Sequence, residues 1–331
     1  MSVTKSDLSN ANILITGGAG FIGSWVAEDI AVKNTAGTIV IIDKLSYCSS
    51  TKNLYELIDR QNVHFVRGDV ANYDLVNEVV SEFEISIILH FAGESSVDVS
   101  FQKGVEFTQS NTIGTQTLLE VARRHKNQIQ RILYFSTDEV YGEIGLDSPP
   151  VDESAPLAPT NPYSASKASA DLIALSYLRA FNLQLVITRC CNVYGPRQYP
   201  EKLVSALAAS MDGRREFTVH GDGSNRRCYI YITDVVSAVA TILLQGEPGQ
   251  VYNISTTDEM SNLEMVQKIC GSIDKLSATV KFGQDRPYND QRYSMSFDRL
   301  TALGWERQKS LTDGLKETLQ WYDLHSTEWW N

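Results

Sequence analysis

Residues Asn12-Ile-Leu-Ile-Thr16 run directly into Gly17-Gly18-Ala19-Gly20-Phe21-Ile22-Gly23. The apolar run reads as a buried strand, and a helix is predicted to follow over about 21–32. Glycines at 17, 20 and 23 suit, in turn, a tight turn, close backbone approach to a pyrophosphate, and tight packing of helix on sheet. The free N–H groups at the start of the helix then face phosphate oxygens. A glycine-rich match alone is weak; its place between strand and helix is the context the motif needs.

Working outward, Thr38–Asp43 is a second strand that ends in an acid, 20 residues beyond Gly23. A carboxylate there accepts hydrogen bonds from ribose hydroxyls and repels a 2′-phosphate, which favours NAD over NADP. Further strands are predicted at Val63–Arg67, Ile85–His90, Arg131–Phe135 and Leu185–Arg189, with helical spacing over Val105–Arg124. Small residues after Phe91, namely Ala92 and Gly93, let the backbone approach a cofactor. The strand–helix rhythm, repeated six times, predicts an α/β fold with a doubly wound parallel Rossmann sheet over residues 1–189. Beyond Arg189 the rhythm breaks. Helices are expected at Glu201–Asp212, Ile232–Leu244, Asn262–Ser272 and Leu311–Leu324, with a loop at 221–227 and a strand at Val251–Ile254. Residues 190–331 are therefore expected to form a smaller, interleaved substrate domain, with about 230–254 rejoining the first; residues 1–11 read as a polar tail.

The bulk numbers exclude several classes. With 331 residues, 43% hydrophobic and 21% charged, the chain reads as ordinary globular protein. A net charge of −11 argues against nucleic acid and anionic membranes as partners. No apolar run approaches a membrane span, and the N-terminus lacks a signal-peptide pattern. The five cysteines show no metal-ligand spacing, so free thiols, no metal and a cytoplasmic location are expected.

The chemistry concentrates in Ser136-Thr137-Asp138-Glu139-Val140-Tyr141-Gly142, just after a buried strand, where open α/β sheets bind ligands. Downstream, Tyr163 and Lys167 stand four apart on a predicted helix and so share a face. The Lys167 ammonium favours the Tyr163 phenolate and should lower its pKa, giving a device that takes a substrate hydroxyl proton while hydride leaves for NAD. A simple dehydrogenase needs only this pair. Two adjacent carboxylates suit an acid and a base working on neighbouring carbons: Glu139 to remove a C5 proton from a 4-keto sugar, Asp138 to protonate the departing C6 hydroxyl. Lys202, Arg226, Arg227, Arg286 and Arg292 are candidates for a diphosphate site, because guanidinium forks match phosphate oxygens.

Thr-Gly-Gly-Ala-Gly-Phe-Ile-Gly23, Ser136-Thr-Asp-Glu-Val-Tyr-Gly, Tyr163-Ser-Ala-Ser-Lys and Asn192-Val-Tyr-Gly-Pro-Arg-Gln-Tyr-Pro-Glu-Lys-Leu203 resemble the nucleotide-sugar 4,6-dehydratases of the extended short-chain dehydrogenase/reductase superfamily. The resemblance runs from Asn12 to the Glu-Trp-Trp near the C-terminus. Asp43–Ser49, His220–Arg226 and Arg286–Tyr293 look closer to the UDP-glucose 4,6-dehydratase half of plant rhamnose synthases, and to giant-virus enzymes, than to bacterial dTDP-glucose enzymes. It implies Thr137 on the C4 oxygen, Asp138 as acid, Glu139 as base, and Tyr163 with Lys167 as redox pair. It implies NAD against Gly17, Gly20, Phe21, Ile22, Gly23, Asp43, Lys44, Leu45, Ser46, Asp69, Val70, Phe91, Ala92, Gly93, Ser110 and Val193, besides Tyr163 and Lys167. It implies the nucleotide sugar against Ser95, Asn192, Glu201, Lys202, Leu203, Arg227, Asn262 and Arg292, as well as Thr137. It further implies a homodimer through a four-helix bundle of Val105–Arg124 and Ala165–Phe181 from each subunit. The chain departs from the family at Ser96 (usually His), Val99, Gly93 and Cys228. UDP-glucose is the expected substrate; dTDP-glucose, a 4-epimerase activity and a non-catalytic NAD-binding role stand as alternatives.

Overall fold

The computed structural model describes residues 5–211, 216–271, 280–325 and 329–330. The expected polar tail holds a short helix, α1 (Lys5–Asn10), pinned by buried Leu8 and by Asn34, whose side-chain amide donates to the Leu8 and Ala11 carbonyls at 3.0 and 2.7 Å. Next come β1 (Ile13–Thr16), α2 (Phe21–Lys33), β2 (Ile39–Asp43) and β3 (Val63–Arg67). The strand–helix alternation fails once here: between β2 and β3 lies a 3-10 turn, Thr51–Leu54, capped by the Ser50 hydroxyl. α3 (Tyr73–Glu82) starts on the Asn72 side chain and leads to β4 (Ile87–His90).

The helical stretch expected over 105–124 begins earlier and is broken by a wide π turn. α4 (Val97–Phe107), capped by Ser96, passes through Thr108–Ile113 into α5 (Gly114–Arg124). β5 (Arg131–Thr137) ends in a single 3-10 turn, Asp138–Tyr141, whose cap is the Thr137 hydroxyl. Gly142 closes that turn at φ 74°, a conformation only glycine adopts readily. α6 (Pro162–Phe181) opens with Pro162 and a capping box between Asn161 and Ser164, and ends on Asn182 in the left-handed region. There follow β6 (Leu185–Cys190), β7 (Asn192–Tyr194), α7 (Leu203–Ala209), β8 (Phe217–His220), β9 (Arg226–Tyr231), α8 (Ile232–Gln245), β10 (Val251–Ile254), β11 (Glu259–Ser261), α9 (Asn262–Gly271), β12 (Val280–Gly283), α10 (Asp298–Ala302) and α11 (Leu311–His325). α7 is shorter at both ends than expected; Asp212 and Ser272 lie outside the described residues.

Among the described residues, seven strands form one parallel sheet in the order β10-β6-β5-β4-β1-β2-β3. Successive residues of each central strand enter opposite cores: Ile13, Ile15, Ile39 and Ile41 on one face, Leu14, Val40 and Ile42 on the other. Burial on both faces is why these strands read as continuous apolar runs rather than alternating ones. The chain leaves β1 for β2 on one side, while β4 lies on the other, so a crevice opens at the carboxyl edge between β1 and β4. His90 ties this point together. Its Nδ1 accepts from the Thr16 hydroxyl (2.7 Å), and its Nε2 donates to Thr115 Oγ1 (2.9 Å), whose own proton goes to the Asn111 carbonyl (2.6 Å). Burial holds the ring neutral, with its pKa lowered to about 3.

The second half builds two small sheets, β11-β9-β7 and β12-β8, over a separate core that includes Tyr194, Leu207, Tyr229, Met265 and Leu315. Near the C-terminus Trp329 Nε1 donates to Asn53 Oδ1 (2.8 Å). Trp330 packs edge-on against Tyr199, which in turn meets Tyr47. No described helix is long and apolar enough to cross a membrane.

Candidate active site

A cavity of about 580 Å³ runs from the glycine turn, past the end of β5, to α7 and β8. Its floor is main chain. Gly17 sits at φ 69°, and a Cβ there would meet the Ala92 amide nitrogen at 2.6 Å, so β1 and β4 approach as closely as only glycine allows. Gly20 caps α2 without a side chain, which leaves the first-turn N–H groups open toward the cavity. An open helix start beside a glycine cradle fits a pyrophosphate. At the end of β2 the Asp43 carboxylate accepts from Ala19 N (3.0 Å), Leu45 N (2.8 Å) and Ser49 Oγ (3.0 Å). Burial raises its pKa, and these donors oppose the rise. Lys44 reaches Ser110 Oγ (2.6 Å) and Glu94 (2.8 Å). Every expected cofactor position lines this cavity except Leu45, whose side chain packs against the core of the sheet instead.

At the end of β5 the two adjacent carboxylates meet different surroundings. Asp138 is buried, with the Thr137 hydroxyl 3.1 Å from its Oδ1. Burial first, then the charge of Glu139, pushes its pKa up to about 7, against the pull of Arg227. Glu139 is only half-buried; its backbone N–H is taken by Thr137 Oγ1 (3.3 Å), and its Oε2 accepts from Asn161 Nδ2 (3.3 Å). Tyr163 and Lys167, on the first turns of α6, face the same space. The Lys167 ammonium donates to the Phe135 carbonyl (2.8 Å) over the Tyr134 ring; burial lowers its pKa to about 8, and Asp171 opposes this. The expected lowering of the Tyr163 pKa is not what the protein alone does. Burial and the charges of Glu139 and Asp138 push the phenol above its usual range, and Lys167 is occupied with a carbonyl. One turn beyond Lys167, fully buried Asp171 forms an ion pair with Arg189 (2.8 Å), whose guanidinium lies 4.7 Å from the centre of the Tyr141 ring.

The five expected cations divide. Lys202, Arg227 and Arg286 line the cavity; Arg226 and Arg292 do not. Arg292 gives four of its five N–H groups to Glu259 (2.8 Å at each oxygen) and to the carbonyls of Ser148 (2.6 Å) and Gly145 (3.0 Å). Arg226 pairs with Glu259 at 3.0 Å. Sequence spacing shows a guanidinium but not the carboxylate that claims it, since Glu259 lies on the neighbouring strand β11. Arg227 stacks 4.3 Å from the centre of the Tyr293 ring and donates to the Asp290 carbonyl (2.8 Å). Lys202 Nζ bonds the Ser95 carbonyl (2.7 Å), and Arg286 forks onto Asp98 (2.7 and 2.8 Å). Ser95, Asn192, Glu201, Leu203 and Asn262 also line the cavity. Sequence reasoning missed Asn161, whose signal was the Asn-Pro-x-Ser capping pattern, and Tyr293, which bonds buried Asp290.

Residues 14–318 match the family model described as GDP-mannose 4,6 dehydratase. The chain is 43% identical over 96% of its length to a trifunctional UDP-glucose 4,6-dehydratase/UDP-4-keto-6-deoxy-D-glucose 3,5-epimerase/UDP-4-keto-L-rhamnose-reductase of Arabidopsis thaliana, and spans 48% of that protein. It is 39% identical over 96% of its length to the dTDP-D-glucose 4,6-dehydratase of Mus musculus, spanning 90% of it. Among solved structures, a dTDP-glucose 4,6-dehydratase from Streptomyces venezuelae with NAD bound superposes with a TM-score of 0.90 at 36% identity, over 96% of this chain and 98% of that one.

Proposed function

The chain belongs to the GDP-mannose 4,6 dehydratase family, and from that premise we propose that it is an NAD-dependent UDP-glucose 4,6-dehydratase. The observation that carries the reading is the pair of unlike carboxylates, Asp138 and Glu139, in one cavity with Tyr163, Lys167 and the glycine cradle. An epimerase or a plain dehydrogenase has no need of both. The uracil preference has the support of 43% identity to the plant enzyme, against 41% and 39% to the dTDP-glucose 4,6-dehydratases of Streptomyces niveus and Mus musculus. A single methyl group separates the two bases, worth roughly 10- to 200-fold in a pocket.

In this reading Thr137 holds the C4 oxygen and Tyr163 takes the C4 hydroxyl proton, with Lys167 poised to stabilise the phenolate. Held against the Gly17–Gly20 turn, Asp43, Tyr163 and Lys167, NAD would supply reversible hydride chemistry, as acceptor for C4 and, once reduced, as donor for C6. The C4 ketone acidifies C5, and Glu139 removes the C5 proton. Asp138, protonated up to about pH 7, gives its proton to the departing C6 hydroxyl, which leaves as water. As hydride reaches C6, Glu139 gives its proton back to C5, so one water is lost in all and the product is UDP-4-keto-6-deoxyglucose; the proton that Tyr163 took balances the one that Asp138 gave. We assign the diphosphate to Lys202 and Arg227, which line the cavity, and give Arg292, paired with Glu259, a supporting part. We assign the cofactor half to residues 1–189 with 230–254, and the substrate half to the remainder of 190–331. The exposed apolar side chains Val105 and Leu172 on α4 and α6 suit a homodimer through a four-helix bundle, in the cytoplasm.

The test is a mass spectrum of reactions with UDP-glucose and dTDP-glucose, each alone at matched low concentration. Loss of one water, faster from UDP-glucose, is expected. Loss mainly from dTDP-glucose overturns the base preference and keeps the mechanism, whereas unchanged mass with both overturns the dehydratase reading.

A further inference from the structure

The helix that carries the redox pair also holds the base. Asn161 is the N-cap of α6, and it is buried. Its Oδ1 is committed to the Ser164 amide (2.8 Å), and the Ser164 hydroxyl accepts from the Asn161 amide in return (3.1 Å). This box fixes which end of the side-chain amide is which, so the NH2 must point away from the helix. There it meets Glu139 Oε2 at 3.3 Å. Tyr163 follows two residues later on the same turn, and the cavity takes in Asn161, Glu139 and Tyr163 together. A capping residue needs only an acceptor oxygen; serine and aspartate supply one as well as asparagine does. The donor on the far side of the amide serves no capping purpose.

We propose that Asn161 is a positioning residue for proton abstraction at C5. Its NH2 holds one oxygen of the Glu139 carboxylate, so that the other faces the sugar, and it registers that carboxylate against Tyr163 through the rigid start of α6. The inference rests on the dehydratase reading. A 3.3 Å contact is long for a charge-assisted bond, and such bonds tighten when substrate closes the site.

The experiment compares wild type with Asn161→Ser and Asn161→Asp. Both variants keep a capping oxygen; serine removes the donor, and aspartate sets a like charge beside Glu139. Single turnovers use UDP-glucose and dTDP-glucose with protium or deuterium at C5, and follow both reduced-cofactor absorbance and water loss. A hydrogen bond to a charged group is worth about tenfold in rate or somewhat more. Asn161→Ser is therefore expected to slow water loss about tenfold, with oxidation at C4 and KM unchanged. Reduced cofactor should accumulate, and the C5 isotope effect should grow. Asn161→Asp should be slower still. If both variants match wild type in water loss and isotope effect, or if C4 oxidation slows equally, Asn161 is a cap only and the proposal falls. If a variant fails to fold, the other decides. If wild type loses no water from either sugar nucleotide, the dehydratase reading falls and takes this inference with it; water loss in wild type with unaltered variants sinks this inference alone.

Discussion

Along the carboxyl edge of the sheet, the cavity wall is largely main chain: the Gly17 turn against Ala92, the open start of α2, and one carboxylate already held by three protein donors. Across the cavity the wall is side-chain charge, and most of that charge is engaged with protein. Arg286 is on Asp98, Lys202 on the Ser95 carbonyl and Arg227 on backbone carbonyls, while Arg292, outside the cavity lining, is on Glu259 and two carbonyls. The first wall recognises a ligand by shape and by fixed dipoles, which need no rearrangement. On the proposed reading, the second exchanges internal partners for phosphate, so its contacts tighten only when the ligand arrives. Between the walls, the end of β5 holds the groups that carry the chemistry.

The largest effects should fall on that boundary. Glu139→Gln and Tyr163→Phe are each expected to lower kcat by about 10²–10⁴-fold while the sugar nucleotide still binds, as read by steady-state kinetics and calorimetry. Glu139→Gln should leave reduced cofactor accumulating, whereas Tyr163→Phe should prevent its formation. Next comes the main-chain wall. Gly17→Ala combines a left-handed φ with a collision against the Ala92 amide, and should abolish cofactor binding or folding outright, as seen by fluorescence titration and thermal melting. The charged wall should yield by degrees. Arg227→Ala is expected to raise KM about 10- to 100-fold, since it removes a charged contact to diphosphate. Arg292→Ala should leave KM nearly unchanged and lower the melting temperature, because Glu259 loses the first of the two guanidinium partners that hold its pKa down to about 2 and keeps only Arg226. A large KM effect in Arg292→Ala would break the comparison.

A smaller effect tests Asp138. In the folded chain its carboxyl keeps a proton up to about pH 7, against an ordinary value of 3.8. Between these values the folded state binds more protons than the unfolded one. Asp138 therefore contributes most below about pH 4, and its contribution is lost as pH rises through 7. Asp138→Asn should be more stable than wild type at pH 8 by of order 4 kcal/mol and no more stable near pH 4, while losing the acid needed for elimination. Denaturant titrations at the two pH values check it. The same ionisation should appear as an alkaline limb near pH 7 in wild-type kcat/KM.

Much of the parallel sheet was legible because strands buried on both faces are written as plain apolar runs, and because glycines and acids punctuate their carboxyl ends. The positions that line this edge of the cavity were therefore readable almost residue by residue. The β2–β3 connection misled because a helical rhythm was extrapolated over a segment that carries only the Thr51–Leu54 turn. The short strands β7, β8, β11 and β12 went unseen, since three or four residues hold no period, and the six-residue β9 was missed because Arg226 and Arg227, its first residues, were read as the end of a loop. In the substrate wall, sequence could count cations but not their internal partners. Arg292 was read as a ligand contact from the family resemblance, which does not show its pairing with Glu259 because that residue is distant in sequence, and Tyr163 was assigned a lowered pKa because spacing to Lys167 says nothing of burial.

The buried pair Asp171–Arg189 constrains how this chain can change over generations. Removing either partner strands a charge in the core, at a cost of about 3–5 kcal/mol. Replacing both with apolar residues need not harm the fold, but it would take away the one carboxylate that opposes the desolvation of Lys167. Single-step drift at either position is blocked by stability, and the double step is blocked by chemistry. The two positions are expected to be inherited as one character, and a library randomised at both should return the original pair when selected for activity and a wider set when selected for folding alone.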